Sequence, residues 1–155
     1  MSRTKLDYSK TTIYKICCKD ISIREIYIGH TTNIRKRKNC HKSDCNNVKS
    51  LKYYSIKYKY IRENGGWDNF DMIEIEKYNA IDANDAKKRE RYWVDELKAT
   101  LNKYIPTRDM KEWRDNNKEK ILKQMKEYNE NNKEKIKEYY KKYRENKKNI
   151  KDLKI

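Results

Sequence analysis

Apolar and aromatic residues concentrate in two short runs near the beginning of the chain. Residues 12–18 (TIYKICC) and 24–29 (REIYIG) are rich in tyrosine and β-branched residues, which favour strands. The five residues between them, 19–23, include an aspartate and a serine, which are common in turns. This pattern predicts a β-hairpin.

After the hairpin the pattern favours helices. Thr32 or Asn33 is suited to N-cap a basic helix that runs to about Asp44. A second helix is predicted over Ser50–Glu63, because the Gly65–Gly66 pair that follows is a strong stop signal.

The next two segments complete a first module. Phe70–Tyr78 (FDMIEIEKY) has the composition of a third strand. Asp82 or Asn84 then opens a helix that reaches about Ala99, and Pro106 marks the end of the module. We therefore expect one domain over residues 1–106.

Residues 107–155 differ from this module and repeat internally. The octapeptide RDNNKEKI at 114–121 recurs as NENNKEKI at 129–136, and a degenerate third copy begins at Arg144. A period of 15 residues is close to four helical turns, so equivalent residues return to nearly the same face. The segment predicts a tail of one or two mostly exposed helices. Coiled-coil pairing is disfavoured, because no apolar heptad persists over three repeats.

Charge indicates the class of partner. The chain carries 40 Lys and Arg against 24 Asp and Glu, a formal net charge of +16. Of these, 17 basic and 10 acidic residues lie in the tail, which gives it +7. Such an excess favours a polyanion through phosphate neutralisation, although a basic face is often simply solvated. No run of residues has membrane-spanning apolarity or resembles a secretory signal, so we expect an intracellular protein in a reducing compartment.

The four cysteines are interpreted as reduced thiols. Adjacent Cys17 and Cys18 would point to opposite faces of a strand and would not readily share a metal ion. The stretch Cys40-His41-x-x-x-Cys45 offers three zinc ligands, but it lacks the second half of a familiar zinc site.

Two pairs of residues in the first module are candidates for chemistry. If the hairpin turn centres near residues 20 and 21, Tyr14 and Tyr27 lie almost opposite each other on neighbouring strands. Arg37 and His41 stand at i and i+4 on the following helix and share one face. A guanidinium can grip a phosphate, and histidine can relay a proton near neutral pH. Ordinary packing and a solvated basic helix are the alternatives.

Glu90 is a third candidate. On its predicted helix it lies four residues after Ala86 and four before Val94, within an apolar stripe. A carboxylate turned toward the interior is costly unless it is paired or coordinates a cation. Glu90 therefore suggests either a metal site or a pair with Arg37.

These residues resemble the GIY-YIG nucleases, a family that includes homing endonucleases, restriction enzymes and an excision-repair subunit. Ile13-Tyr14 and Tyr27-Ile28-Gly29 resemble the two short motifs, and Thr12 stands where the family has the first glycine. The other matching positions, in chain order, are Arg37, His41, Glu90 and Asn102. The resemblance covers residues 12 to about 106.

The resemblance implies an α+β fold, with a small three-stranded antiparallel sheet flanked by helices, that acts as a DNA endonuclease. In that family pattern Tyr14 helps to activate the attacking water and Tyr27 positions water and phosphate. Arg37 stabilises phosphoryl charge. Because a free tyrosine has a pKa near 10, a bound cation and a nearby arginine are both needed to lower the pKa of Tyr14.

The resemblance also implies that His41 orients a tyrosine or supports proton transfer and that Asn102 braces the site. Glu90 would hold one Mg²⁺ or Mn²⁺ ion, with water and substrate oxygens as the remaining ligands. We expect DNA as the partner and no small-molecule ligand, and the sequence does not indicate an oligomeric state.

A non-cleaving nucleic-acid-binding module with a basic helical interaction tail is the alternative function. The complete set of six residues argues against it, because a binding module has no use for an interior glutamate. A further alternative makes the tail the functional part and the domain its anchor.

Overall fold

The computed structural model describes residues 6–152, and the side chains of residues 6–147. The chain divides into two compact units between Thr107 and Arg108. Each unit is described separately.

The first unit is an α+β fold built on a three-stranded antiparallel sheet with strand order β2-β1-β3. Its strands are β1, β2 and β3, at Thr11–Cys18, Ile26–Thr31 and Phe70–Tyr78. Its helices are α1, α2 and α3, at Ile34–Asn46, Ile56–Glu63 and Ala83–Glu96. The predicted fold class and all three predicted strands are confirmed.

Helix boundaries follow local capping chemistry. Asn33 accepts a hydrogen bond from the Lys36 N–H and opens α1, and Asp82 does the same for α3. Helix α2 ends before Gly65 and Gly66, whose φ values of +93° and +80° favour glycine.

The predicted start of the second helix, Ser50, is wrong by six residues, because residues 50–55 form turns instead. Arg62 holds this segment in place: its guanidinium donates to the carbonyls of Cys45 and Tyr53 and covers the Tyr53 ring at 3.6 Å from the centroid.

The sheet has a core on each face, because alternate residues of β1 point in opposite directions. Tyr14 and Ile16 are buried on the face covered by α1 and α2, together with Tyr58 of α2. Ile13 is buried on the other face, where Val94 of α3 packs against it. The edge strand β2 therefore carries residues that face both cores.

The second unit consists of three helices, α4, α5 and α6, at Met110–Asn116, Lys118–Asn131 and Lys133–Asp152. The predicted count of one or two is wrong. The breaks fall at Asn117 and Asn132, 15 residues apart, where each side-chain amide donates to the carbonyl four residues earlier. This bond competes with the helical pattern. The next equivalent position is Lys147, and α6 continues through it.

The tail unit contributes little buried surface. No side chain between residues 108 and 147 is fully buried. None of the helices within residues 6–152 has the length and apolarity required to cross a membrane.

Candidate active site

Tyr14 is the centre of the candidate site. Its side chain is completely buried in β1, next to a shift in the β1–β3 register between Ile13 and Tyr14. The Tyr14 hydroxyl accepts a hydrogen bond from Arg37 Nε at 2.9 Å and lies 2.8 Å from His41 Nε2. The i, i+4 spacing on α1 thus brings both predicted helix residues to one phenolic oxygen.

His41 continues this network on its other side. Its Nδ1 lies 2.7 Å from the hydroxyl of Tyr58, whose oxygen is 3.4 Å from Asp44 Oδ2. Burial, together with the charges of Lys57 and Arg37, lowers the pKa of His41 to about 2. The ring is therefore neutral, with one N–H donor and one acceptor nitrogen.

The two ends of the network determine the direction of its hydrogen bonds. Arg37 can only donate, and an ionised Asp44 can only accept. When Tyr58 donates to Asp44, its oxygen accepts the His41 Nδ1–H, and His41 Nε2 is left to accept the Tyr14 proton. With His41 protonated at Nδ1, the Tyr14 hydroxyl therefore donates toward His41.

Arg37 by itself does not bring the pKa of Tyr14 below its usual range. Burial is the largest influence and raises the pKa of Tyr14 well above its usual range, and the charge of Tyr27 adds to the increase. Arg37 only partly offsets these effects. Without a further positive charge, Tyr14 is a neutral phenol.

The predicted pairing of Tyr14 with Tyr27 is wrong in register. Tyr14 lies opposite Gly29, and Tyr27 lies opposite Ile16. The connection after β1 runs to residue 25, so the centre of the hairpin lies one residue later than predicted. Each residue of β1 therefore pairs with a residue of β2 that is two positions later than predicted. A shift of two keeps both tyrosines on one face, with ring centroids 6.4 Å apart.

Gly29 explains why the second motif requires a glycine here. A Cβ atom at this position would lie 2.5 Å from the Tyr14 hydroxyl oxygen and 3.1 Å from Tyr27 Cε1. The phenol of Tyr14 therefore packs directly over the Gly29 backbone. Thr12, by contrast, lies within β1 and is paired with both neighbouring strands, so this backbone needs no glycine freedom.

Glu90 is buried on α3 between Ala86 and Val94, as its position in the stripe suggested. Its partner is His30 rather than Arg37: Glu90 Oε2 and His30 Nδ1 are hydrogen-bonded. His30 was not identified from the sequence. Its place directly after Gly29, on the strand facing α3, is the signal that could have revealed it.

Asn102 pairs with the outer edge of β2. Its Oδ1 accepts from the Ile28 N–H and its Nδ2 donates to the Ile28 carbonyl, both at 2.8 Å. The preceding residue, Leu101, donates its N–H to the Ile26 carbonyl. One amide side chain thus satisfies both backbone groups that an edge strand would otherwise expose.

A cavity of about 270 Å³ joins three of the six candidate residues, Tyr27, Glu90 and Asn102, along its walls. Tyr14, Arg37 and His41 form the buried network next to Tyr27. Sequence reasoning also missed Lys57 of α2, which lines the cavity, because neither its spacing nor its neighbours distinguish it from other surface lysines.

The residues at Glu90 fit a hard divalent cation that keeps most of its water. No cluster of three or more His, Cys, Asp or Glu side chains suited to a metal occurs within the described residues. Magnesium commonly binds proteins through one or two carboxylates, completing its shell with water and phosphate oxygens. A single buried carboxylate that opens on a cavity satisfies that pattern.

The cysteine arrangement does not form the three-ligand zinc set that was considered. Cys40 is exposed and Cys45 is buried in the core, and both are free thiols. Both ring nitrogens of His41 face tyrosine hydroxyls.

Comparison with known proteins gives one match. A family model described as the GIY-YIG catalytic domain matches residues 10–104, more than half of the chain. No curated protein and no solved structure matches the chain.

The neutral state of His41 predicts a pH dependence of stability. Below pH 6.5 the unfolded chain binds a proton at His41 that the folded chain excludes. The contribution of the neutral His41 ring to the free energy of unfolding is therefore fully present above pH 6.5 and is lost as the pH falls. We expect a loss of up to about 1.4 kcal/mol per pH unit in the free energy of unfolding. Urea unfolding at pH 7.5, 6.0 and 5.0 measures it. His41→Gln should be less stable at pH 7.5 but should depend less on pH, and parallel profiles would contradict a buried neutral imidazole.

Proposed function

The chain belongs to the GIY-YIG family of nucleases, and on this basis we propose that it is a DNA endonuclease that hydrolyses phosphodiester bonds with one divalent metal ion bound at Glu90. The observation that carries the proposal is the burial of this carboxylate beside a cavity that Tyr27 and Asn102 also line. A carboxylate is costly to bury unless it is paired or coordinates a cation, and His30 pairs with the Oε2 atom of Glu90. A non-cleaving binding module has no use for it.

We propose that Tyr14 and His41 act together in proton transfer. The Tyr14 proton points toward the neutral His41, which can accept it and pass its own Nδ1 proton to Tyr58. Asp44 ends this path near the surface, since it is only partly buried. In this mechanism Tyr14 supports activation of the attacking water, and the network removes the proton.

The remaining residues act on the phosphate. Tyr27 borders the cavity, where its hydroxyl positions water and phosphate. Arg37 stabilises charge on the phosphoryl oxygens, because a preorganised guanidinium is suited to that charge. Asn102 acts indirectly, since it fixes the edge strand that carries Tyr27.

Glu90 is the proposed ligand of the metal ion, with magnesium or manganese as the candidates. The negative charge of Glu90 helps to raise the pKa of both Tyr14 and Tyr27. A divalent ion bound there would reverse that local field and stabilise the leaving oxygen. His30, hydrogen-bonded to the same carboxylate, orients it.

We propose that the tail unit adds sequence-independent contacts with DNA. Four exposed basic residues of α6, at helical spacing, form a stripe on one face: Lys133, Lys137, Lys141 and Arg144. Tyr140 lies next to the stripe and is 55% exposed, so it is available to stack on unpaired bases. The described acidic residues of α6 lie along the edge of the stripe opposite Tyr140, and their negative charge weakens the positive field of the stripe.

Glu90→Gln is expected to abolish metal-dependent cleavage, with a loss of at least about 10²-fold, while DNA binding in EDTA changes little. The substitution keeps the size of the side chain and removes the charge that holds the cation. Plasmid nicking and fluorescence anisotropy measure the two effects. Glu96→Gln, at the exposed end of the same helix, is the matched control. Cleavage by Glu90→Gln at the wild-type rate would eliminate the metal-ligand role.

Tyr14→Phe is expected to slow cleavage without unfolding the domain, because it removes only the hydroxyl that bridges Arg37 and His41. Arg37→Ala should lose at least about 10²-fold in rate, the usual scale for one preorganised donor. Tyr60→Phe is the control, since its hydroxyl donates to Glu25 outside the site. Single-turnover rates across a pH series make the comparison. A Tyr14→Phe variant with full activity at every pH would assign Tyr14 to packing alone.

Neutralising the α6 stripe is expected to weaken DNA binding and flatten its salt dependence. With Lys133, Lys137, Lys141 and Arg144 changed to Gln, the slope of log affinity against log salt should fall by up to about 3 to 4. The metal dependence of cleavage should not change. A slope equal to that of the wild type would exclude the DNA-binding tail and favour a protein contact or no role.

A further inference from the structure

The cavity beside Glu90 lies at the N-terminus of α2 and is lined largely by groups that attract anions. Ser55, the N-cap of α2, and Lys57 in its first turn line the cavity on this side. Lys52 and Lys103 lie on its walls as well. Glu90 is the acidic residue among the lining side chains.

Lys57 is an ammonium group packed against two aromatic rings. It is half-buried, with Nζ 3.8 Å from the Tyr27 ring centroid and 4.9 Å from that of Tyr58. The structure gives Lys57 no ion pair among the side chains of residues 6–147. Burial is the main reason that the pKa of Lys57 falls to about 7. Arg37 and Lys52 lower it further, and the negative charges of Asp44 and Glu90 partly offset them. A bound anion would remove this imbalance.

The N-terminus of α2 lacks the side-chain cap that the other helices of this unit have. Unlike Asn33 and Asp82, which cap α1 and α3 through their side chains, Ser55 makes no capping hydrogen bond. Its Oγ is buried and has no hydrogen-bond partner within the described residues. Buried hydroxyls are nearly always satisfied, and the first N–H groups of a helix favour negative charge. The α2 N-terminus therefore has donors directed at no acceptor.

We propose that this cavity binds a backbone phosphate of the nucleic-acid substrate, held by Lys57 Nζ and the free N–H groups at the start of α2. The inference rests on the proposed nuclease function, because Glu90 lines the same cavity and the phosphate would lie beside the proposed metal ligand. Lys57 is thus a phosphate-binding residue outside the six positions of the family pattern. The Tyr27 and Tyr58 rings hold its ammonium group in position.

The test compares full-length variants for binding to a duplex oligonucleotide in EDTA, across a salt series. Lys57→Gln should bind several-fold more weakly at about 0.1 M salt, and its slope of log affinity against log salt should fall by about 1. Lys57→Arg keeps the charge and should retain most of the slope. The matched control is Lys59→Gln. Lys59 lies two residues further along α2, is exposed and is paired with Glu63.

Urea unfolding separates this role from a structural one. Lys57→Gln removes an unpaired, partly desolvated charge, so its unfolding midpoint should equal or exceed that of the wild type while DNA binding weakens. A variant that loses stability and binding together would assign Lys57 to the fold and overturn the phosphate site. Unchanged affinity and slope in Lys57→Gln would overturn it too. The binding comparison is made in EDTA and therefore does not depend on cleavage. A wild-type protein that binds DNA but does not cut it when a divalent ion is supplied would reject the nuclease proposal and leave the binding comparison valid.

Discussion

The hydroxyl of Tyr14 is the polar group on which the candidate site depends. A completely buried phenol requires hydrogen-bond partners, and Arg37 and His41 provide them from one face of α1. This requirement fixes how α1 packs on the sheet. It also requires Gly29 on the neighbouring strand, because any side chain there would occupy the space of the phenol. The two short motifs are therefore linked by packing as much as by chemistry.

The edge strand β2 joins the two halves of the site. Tyr27 faces the α1–α2 side, and His30 bonds Glu90 of α3. An edge strand is a weak place to build a site unless its free backbone groups are satisfied, and Asn102 satisfies both groups of Ile28. By fixing β2, Asn102 positions Tyr27, which lies beside the buried Tyr14 network, and His30, which bonds Glu90.

Local signals in the sequence were sufficient for the strands, for the caps of α1 and α3, and for the burial of Glu90. They failed where a distant contact decides the structure. Residues 50–55 form turns, and the guanidinium of Arg62 bonds to the Tyr53 carbonyl within them, a contact that no local pattern encodes. The hairpin register depends on a connection whose length was underestimated. His30 and Lys57 become visible as site residues only when α3 and α2 are folded against β2.

The central claim is that this arrangement of residues cuts DNA with the help of a divalent ion. Incubation of the wild-type protein with supercoiled plasmid, with magnesium or manganese in one arm and EDTA in the other, tests it most directly. The account predicts nicked or linear DNA only when the divalent ion is present. Plasmid that remains supercoiled in both arms, while the protein binds it, would contradict the account and identify a non-cleaving binding module.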